Sequence, residues 1–568
     1  MSGELARLVS VARGETPADL ILANARVVNT VSGEIETGNV AICGDRVAGV
    51  GDYQQAKQVL DVRGRYLAPG FINGHTHLES SMLDVGQYAR AVVPRGTSVL
   101  VTDLHEIANV CGVAGMRYVV NCARRLPLDL FLMAPSCVPS THLETSGASI
   151  TAGDIRRILR WRGCLGLGEV MNFPGVINGD EAVLGKIEVA RGRVIDGHAP
   201  GVRGKDLAAY IAAGIYSDHE SVTLDEARDK LRQGMWVMIR EGSSEKNVDA
   251  LLPLVTDKTY RRCLLVVDDR SCADLLSDGD VDAVVRKAIS RGLDPVRAIQ
   301  MATINPAEYF RLEGLGAIAP GYFANVIVID DLAKLQIGMV FYRGRLVARD
   351  GEPLFTGYSS GTSRPVATVK IKPFTVEALR MEASGESQPV IEVVPGQIIT
   401  RRRMARVRVE DGFVVTDTRR DILKLVVVER HKATGNIGRG LVSGFGLQRG
   451  ALASSIAHDA HNIIAVGTSD GDILAAVREI ERLQGGLVVV AGGRVLASLS
   501  LPIAGLLSEE PLAAVVSRLV ALERVARDLG ATLPSPLATL SFLALPVIPE
   551  LRLTDRGLVD VNQFRLIG

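Results

Sequence analysis

Along residues 19–65, apolar positions alternate with polar ones in short bursts broken by turn residues. LILANARVVNT (20–30) and GNVAICGDRVAGVG (38–51) are period-two runs separated by Ser-Gly and Gly-Asp, and a third run ends in VRGRYL. This pattern predicts a small β-module over residues 1–65. The same texture returns over 313–358, in GAIAPGYFANVIVID and MVFYRGRLVARDG. Isolated hairpins are marginal in water, so both flanks are predicted to combine into one composite β-sandwich.

Between the flanks the pattern changes. Eight nearly continuous apolar runs are spaced by longer mixed segments: YLAPGFIN (66–73), SVLVT (98–102), DLFLMAP (129–135), LGLGE (165–169), RVIDGH (193–198), GIYSD (214–218), MWVMIR (235–240) and CLLVVD (263–268). Strands buried on both faces read this way, and helix-length spacers point to a parallel sheet. Eight such units predict an α/β fold, a (β/α)8 TIM-like barrel over 66–312, with a doubly wound sheet as its rival. After the eighth run, Asp294 and Pro295 suit the start of a helix. Ser359, Ser360, Gly361, Ser363 and Pro365 mark a linker around 354–370, and 366–568 is read as a further α/β domain.

Length and charge narrow the classes. A chain of 568 residues exceeds what one core organises. Lys plus Arg and Asp plus Glu both total 64, so no net basic charge points to nucleic acid or an anionic membrane. Seven scattered cysteines without a CxxC pair suit a reducing cytoplasm. The N-terminus has no uninterrupted apolar stretch of signal-peptide type, and Gly485 to Ser508 is broken by Arg494 and Pro502. The expectation is a soluble, cytoplasmic protein.

The chemistry gathers at the carboxyl ends of the eight runs, where barrel active sites are built. Run one leads into His75-Thr76-His77, whose imidazoles share one side of an extended chain. Run four ends at Glu169, run five at His198, run six at Asp218-His219 and run eight at Asp268-Asp269. Four of the chain's nine histidines thus stand at predicted strand ends beside carboxylates, a donor set suited to Zn, Mn or Fe. With one carboxylate shared, the set would hold two divalent metal ions.

This arrangement resembles the amidohydrolase superfamily. Many relatives bridge their metals through a carbamylated lysine on strand four; LGLGEV places Glu169 there, which disfavours a cyclic-amide hydrolase. GFINGHTHLESSML, VTDLHEIANVCG, LGEVMNFPGV, DGHAPGVRG, SDHES, MIREGSSEKN and VVDDR, in that order, resemble the adenine deaminase family. SSIAHDAHNIIAVG and TLSFLALPVIPELRLTDRGLVD resemble that family's C-terminal domain. Two departures stand out: Leu104 where proline is expected, and Val267 where threonine is expected.

The resemblance implies hydrolysis of adenine, a small-molecule purine base, to hypoxanthine and ammonia by a metal-activated hydroxide, with Mn as the active metal. His75, His77 and Asp268 would hold one metal, His198 and His219 the other, and Glu169 would bridge. Asp268 would also shuttle the proton. Alternatives are N6-methyladenine or another aminopurine as substrate, and, from another class, a non-catalytic scaffold. A homo-oligomer, dimer or tetramer, is expected at this size.

Other residues remain open at this stage. Asp103 either touches the purine or relays a proton, or else closes a turn. Glu220 contacts substrate or orients His219, and His105 and Glu106 are equally balanced. Asp269 is read as a packing or supporting acid. Arg240 and Glu241 are read as an ion pair shaping the mouth. His458-Asp459-Ala460-His461-Asn462 reads as a hydrogen-bonded turn before a metal pair, a third option being closure of the C-terminal domain over the barrel mouth. GLVSGFGLQRG (440–450) lacks the Lys-Ser/Thr of a phosphate loop.

Overall fold

The computed structural model describes residues 2–357, 363–395 and 397–567; Ser359, Ser360 and Gly361 of the expected linker lie outside them. Eight successive strands carry the central domain: β1 Phe71–Asn73, β2 Thr97–Thr102, β3 Asp129–Ala134, β4 Cys164–Val170, β5 Val194–Gly197, β6 Ser217–Asp218, β7 Trp236–Arg240 and β8 Cys263–Val266. Neighbours pair in parallel from β1 to β5 and again from β6 to β8.

Two seams separate these groups. At one, Tyr216 N–H donates to the Ile195 carbonyl at 3.4 Å and Gly197 N–H to Ser217 Oγ at 3.2 Å. At the other, Asp268-Asp269 pairs in parallel with Thr76-His77, and Asp268 N–H donates to the His75 carbonyl at 2.9 Å. The residues after β1 and after β8 are therefore hydrogen-bonded neighbours, although they lie far apart in sequence.

The strands are apolar because both faces are covered. Ile72, Val99, Val101, Met133, Met238, Leu264 and Val266 pack as one buried cluster, and helices cover the outer side. Among these helices is α1 His105–Ala123, which starts directly after β2.

The run 66–73 is not one strand. Tyr66–Pro69 pairs antiparallel with Val326–Asp331, and only Phe71–Asn73 joins the parallel set. Gly70 is the break: a Cβ there would stand 2.5 Å from Ser98 Oγ. Through this pairing the two flanks form one continuous nine-stranded sheet, from Glu352–Pro353 to Arg46–Gly51, with Ala56–Asp61 beside Ala18–Asn29.

The C-terminal domain is built on an eight-stranded mixed sheet with α2 Asp470–Leu483 packed against it. α3 Leu512–Asp528 and α4 Pro536–Phe542 follow. The domain sits on loops of the central domain. Ser508 N–H donates to the Met82 carbonyl (2.7 Å), Thr145 N–H to Asp555 Oδ1 (2.8 Å), and Thr554 Oγ1 to the Leu143 carbonyl (2.7 Å). None of the cysteines forms a disulfide, and among the described residues no helix is long and apolar enough to cross a membrane.

Candidate functional site

The side chains singled out at the strand ends converge in one buried cluster. His77 Nε2 lies 3.3 Å from Asp268 Oδ1 and 3.4 Å from Glu169 Oε1, and His75 Nε2 lies 3.6 Å from Asp268 Oδ1. On the other side, Glu169 Oε2 stands 2.8 Å from His198 Nδ1 and 3.2 Å from His219 Nε2. The two oxygens of Glu169 thus face different pairs of histidines. His75 stacks on His219 with ring centroids 4.0 Å apart, joining the two halves.

The chain lets Glu169 sit so deep because Gly168 beside it has no side chain. A Cβ on Gly168 would lie 2.5 Å from the Cβ of Asp103. Behind His198 and His219 is a second buried polar group. Lys230 Nζ, with no exposed surface, donates to Asp218 Oδ2 (2.8 Å), Glu226 Oε1 (2.7 Å) and the Ala199 carbonyl (2.7 Å). Asp218 precedes His219 and Ala199 follows His198, so one buried ammonium fixes both loops.

Electrostatics favour an acceptor-rich centre. Burial alone would raise the Glu169 carboxyl, but hydrogen bonds to His198 and His219 hold it well below its usual range. Burial is likewise outweighed at Asp268 by the Arg240 charge and the nearby His75 and His77 imidazoles. Arg240 Nη1 donates to Asp268 Oδ2 at 2.6 Å, and its other contacts include Glu220 and Asn247.

The residues fit divalent cations. His75 Nε2 and His77 Nδ1 are buried without a hydrogen-bond partner, leaving nitrogens where imidazole lone pairs bind metal. Groups able to hold an ion include His75, His77 and Asp268; His75, Glu169 and His219; and His198, His219 and Glu220. Another comprises His77, Asp103, His105 and Glu169.

Several expectations need correcting or completing. Arg240 and Glu241 do not pair with each other: Arg240 turns inward to Asp268 and Glu220, while Glu241 binds Lys287 at 2.7 Å. Adjacent residues of a strand point to opposite sides, so they rarely share a partner. Asp103 accepts from or stands against His105 Nδ1 at 3.0 Å and lies 3.4 Å from His77 Nδ1, inside the cluster. Glu220 is 3.6 Å from both His198 and His219. Asp269 accepts a hydrogen bond from Ser80. Leu104 has φ +56°, outside proline's range, so this loop takes a path that the expected proline could not follow.

The turn at 458–462 is more than a local turn. His458 Nδ1 lies 2.7 Å from Glu106 Oε1, and His461 Nε2 hydrogen-bonds Glu106 Oε2. Asn462 Nδ2 donates to the Thr145 carbonyl at 2.9 Å. The sequence separates Glu106 from these histidines by more than 350 residues, so only the spacing HxxH within the turn was visible beforehand.

Residues 66–348 match the amidohydrolase family, and residues 397–565 match the adenine deaminase C-terminal domain. An adenine deaminase of Dehalococcoides mccartyi is 60% identical over 567 residues, spanning 100% of this chain and 99% of that protein. Adenine deaminase 2 of Carboxydothermus hydrogenoformans is 50% identical over 561 residues, spanning 99% and 98%. Among solved structures, a β-aspartyl dipeptidase of Fervidobacterium islandicum AW-1 aligns at a TM-score of 0.47 with 16% identity, over 61% of this chain and 100% of that one. With such identity over its full length, this chain belongs to the adenine deaminase family within the amidohydrolases.

Proposed function

We propose that this protein hydrolyses adenine to hypoxanthine and ammonia, at a centre formed by His75, His77, Glu169, His198, His219 and Asp268. Glu169 carries the reading: its Oε1 faces His77 and its Oε2 faces His198 and His219, as a carboxylate shared between two cations would. The eight strands are read as a closed (β/α)8 barrel, supported by the hydrogen bonds across both seams. The surrounding family supports adenine as substrate.

When bound, two divalent cations, manganese being the first to test, would lower the pKa of a water and supply hydroxide near neutral pH. The chain's own part is proton handling and positioning. Asp268, kept ionised by Arg240, is an acceptor for the proton released as oxygen adds to C6 of adenine. It then returns that proton to the departing amino group, while water's other proton ends at N1, so water and adenine balance hypoxanthine and ammonia. Arg240 fixes one oxygen of Asp268 and leaves the other facing His75 and His77. Glu220, held by Arg240 beside His198 and His219, is placed to contact the purine. Asp103, beside His77 and His105, would contact the purine or relay a proton.

The test is incubation of manganese-loaded protein with adenine, N6-methyladenine, adenosine and a hydantoin, following ammonia release and substrate loss. Adenine is expected to be the preferred substrate. Turnover of the hydantoin with none of adenine overturns the reading.

A further inference from the structure

A cavity of about 570 Å³ lies between the two domains, within the size range of small-molecule sites. One wall belongs to the central domain and the other to the C-terminal sheet and helices α3 and α4. Its lining grades from exposed to buried. Lys246, Val520 and Ala538 on the rim meet solvent, whereas Glu79 and Glu106 at the floor are 3% exposed and His461 is 1% exposed. It is therefore a funnel, open at one end.

The floor abuts the His/carboxylate centre. Glu79 lies two residues beyond His77, Glu106 follows His105, and Asp269 follows Asp268. His105 Nδ1 is 3.6 Å from Glu169 Oε1. Three segments that present groups to the centre thus present residues one or two positions further on to the funnel. Glu79 adds an independent sign of a ligand. Its Oε1 accepts from Ile107 N–H, but its Oε2 is buried with no partner. An unpaired buried oxygen is costly and asks for a donor, such as a heterocycle's N–H or amino group.

The Glu106–His458–His461 group at the floor is also a candidate metal triad by residue type. Its hydrogen bonds argue otherwise. His461 Nδ1 accepts the Ala457 N–H at 3.2 Å, which places the ring proton on Nε2, facing Glu106. The lone pair that a cation needs is already committed. The triad instead clamps the C-terminal wall of the funnel to the central domain, and His458 stacks on Phe542 of that wall at 4.5 Å.

Resting on the adenine reading, we propose that this funnel is the path by which the purine base reaches the centre and the product leaves, so that the C-terminal domain supplies half of the entrance. The observations fit a small, flat, largely neutral molecule: the C-terminal wall is mostly apolar, and the facing central-domain wall offers polar groups down to Glu79 at the buried end.

The test places a removable plug in the funnel. Ala538→Cys, on the exposed rim, is labelled in the manganese-loaded protein with a benzyl methanethiosulfonate, and the label is released with dithiothreitol. Wild type treated identically controls for its own cysteines, of which six are buried and Cys111 is partly exposed. Lys246→Cys repeats the measurement from the opposite wall. Labelling is expected to lower kcat/KM for adenine roughly tenfold or more and to slow removal of bound manganese by a chelator, both recovering on release. Unchanged kcat/KM and unchanged metal removal at both positions overturn the proposal and place the entrance beside His198, whose side chain is 22% exposed. A loss that dithiothreitol does not reverse also counts against it. If unlabelled enzyme releases no ammonia from adenine, the substrate reading falls, and the rate of metal removal alone decides the entrance.

Discussion

Two buried clusters in this molecule share the same residue types and differ in what their nitrogens are doing. In the centre at the strand ends, His75 Nε2 and His77 Nδ1 have no hydrogen-bond partner. In the cluster at the domain boundary, His458 Nδ1 and His461 Nε2 both face Glu106, and His461 Nδ1 takes a backbone N–H. The first keeps one nitrogen each of His75 and His77 unpaired, although His198 and His219 face Glu169, whereas both histidines of the second are committed to Glu106. Histidine and carboxylate in proximity are thus insufficient to define a metal site; the difference is the state of each ring nitrogen.

The largest effect that would break this contrast is on turnover. Asp268→Asn is expected to lower ammonia release by about a thousandfold or more, as loss of a positioned proton acceptor does, while most bound metal remains on elemental analysis. Near-normal turnover removes Asp268 from its role.

Glu106→Ala should do the reverse. It leaves His458 buried without its partner, so unfolding free energy should fall by about 3–5 kcal/mol in urea titration, with metal content unchanged. Loss of a metal equivalent in that variant would show the boundary cluster to be a metal site after all.

Metal removal comes next. Each cation that binds only the folded protein stabilises it by roughly 2.7 kcal/mol at hundredfold saturation, so chelation should lower the melting temperature of wild type and Glu106→Gln alike. A chelator-insensitive melting temperature in wild type argues against cations at the centre.

The smallest effect is a pH dependence of the boundary contact. Burial opposes charge on His458, but Glu106, with Asp269 and Asp459, raises it to about 9. A raised folded value contributes stability that is complete below the ordinary value near 6.5 and is lost as pH climbs to about 9. Glu106 is held well below its ordinary range, despite burial, chiefly by His458 and His461, so its share is lost only on acidification. His461 is pushed down to about 4 by burial, with His458 and Arg430 adding to the shift, so folding weakens as pH drops from 6.5 toward 4. The stability difference between wild type and Glu106→Gln should therefore peak near pH 6.5 and shrink toward pH 9, read from urea midpoints across that range. A difference that is flat with pH would break the link between this pair and domain docking.

Much of the centre was legible from residue order. Strands buried on both faces must be apolar, so a polar residue at the end of such a run is conspicuous, and His75, His77, Glu169, His198, His219 and Asp268 all stand out that way. The departures have equally local causes. Gly70 splits what reads as one apolar run, because the pattern 66–73 is apolar on both sides of it while the backbone changes sheets there. The inward turn of Arg240 was hidden because its partners, Glu220 and Asp268, come from other strands.

By itself the sequence determined which donor types stand at which strand ends, how the chain divides into an α/β core with flanking and C-terminal parts, and the family to which it belongs. Those features depend on periodicity and on residue identity, which are local. Tertiary structure alone decided which histidine nitrogens are spoken for, that Lys230 underpins two loops at once, and that Glu106 meets His458 and His461 across a domain boundary. Hydrogen bonds and ion pairs act over about 3 Å, and nothing in the linear order records which distant groups folding brings within that reach.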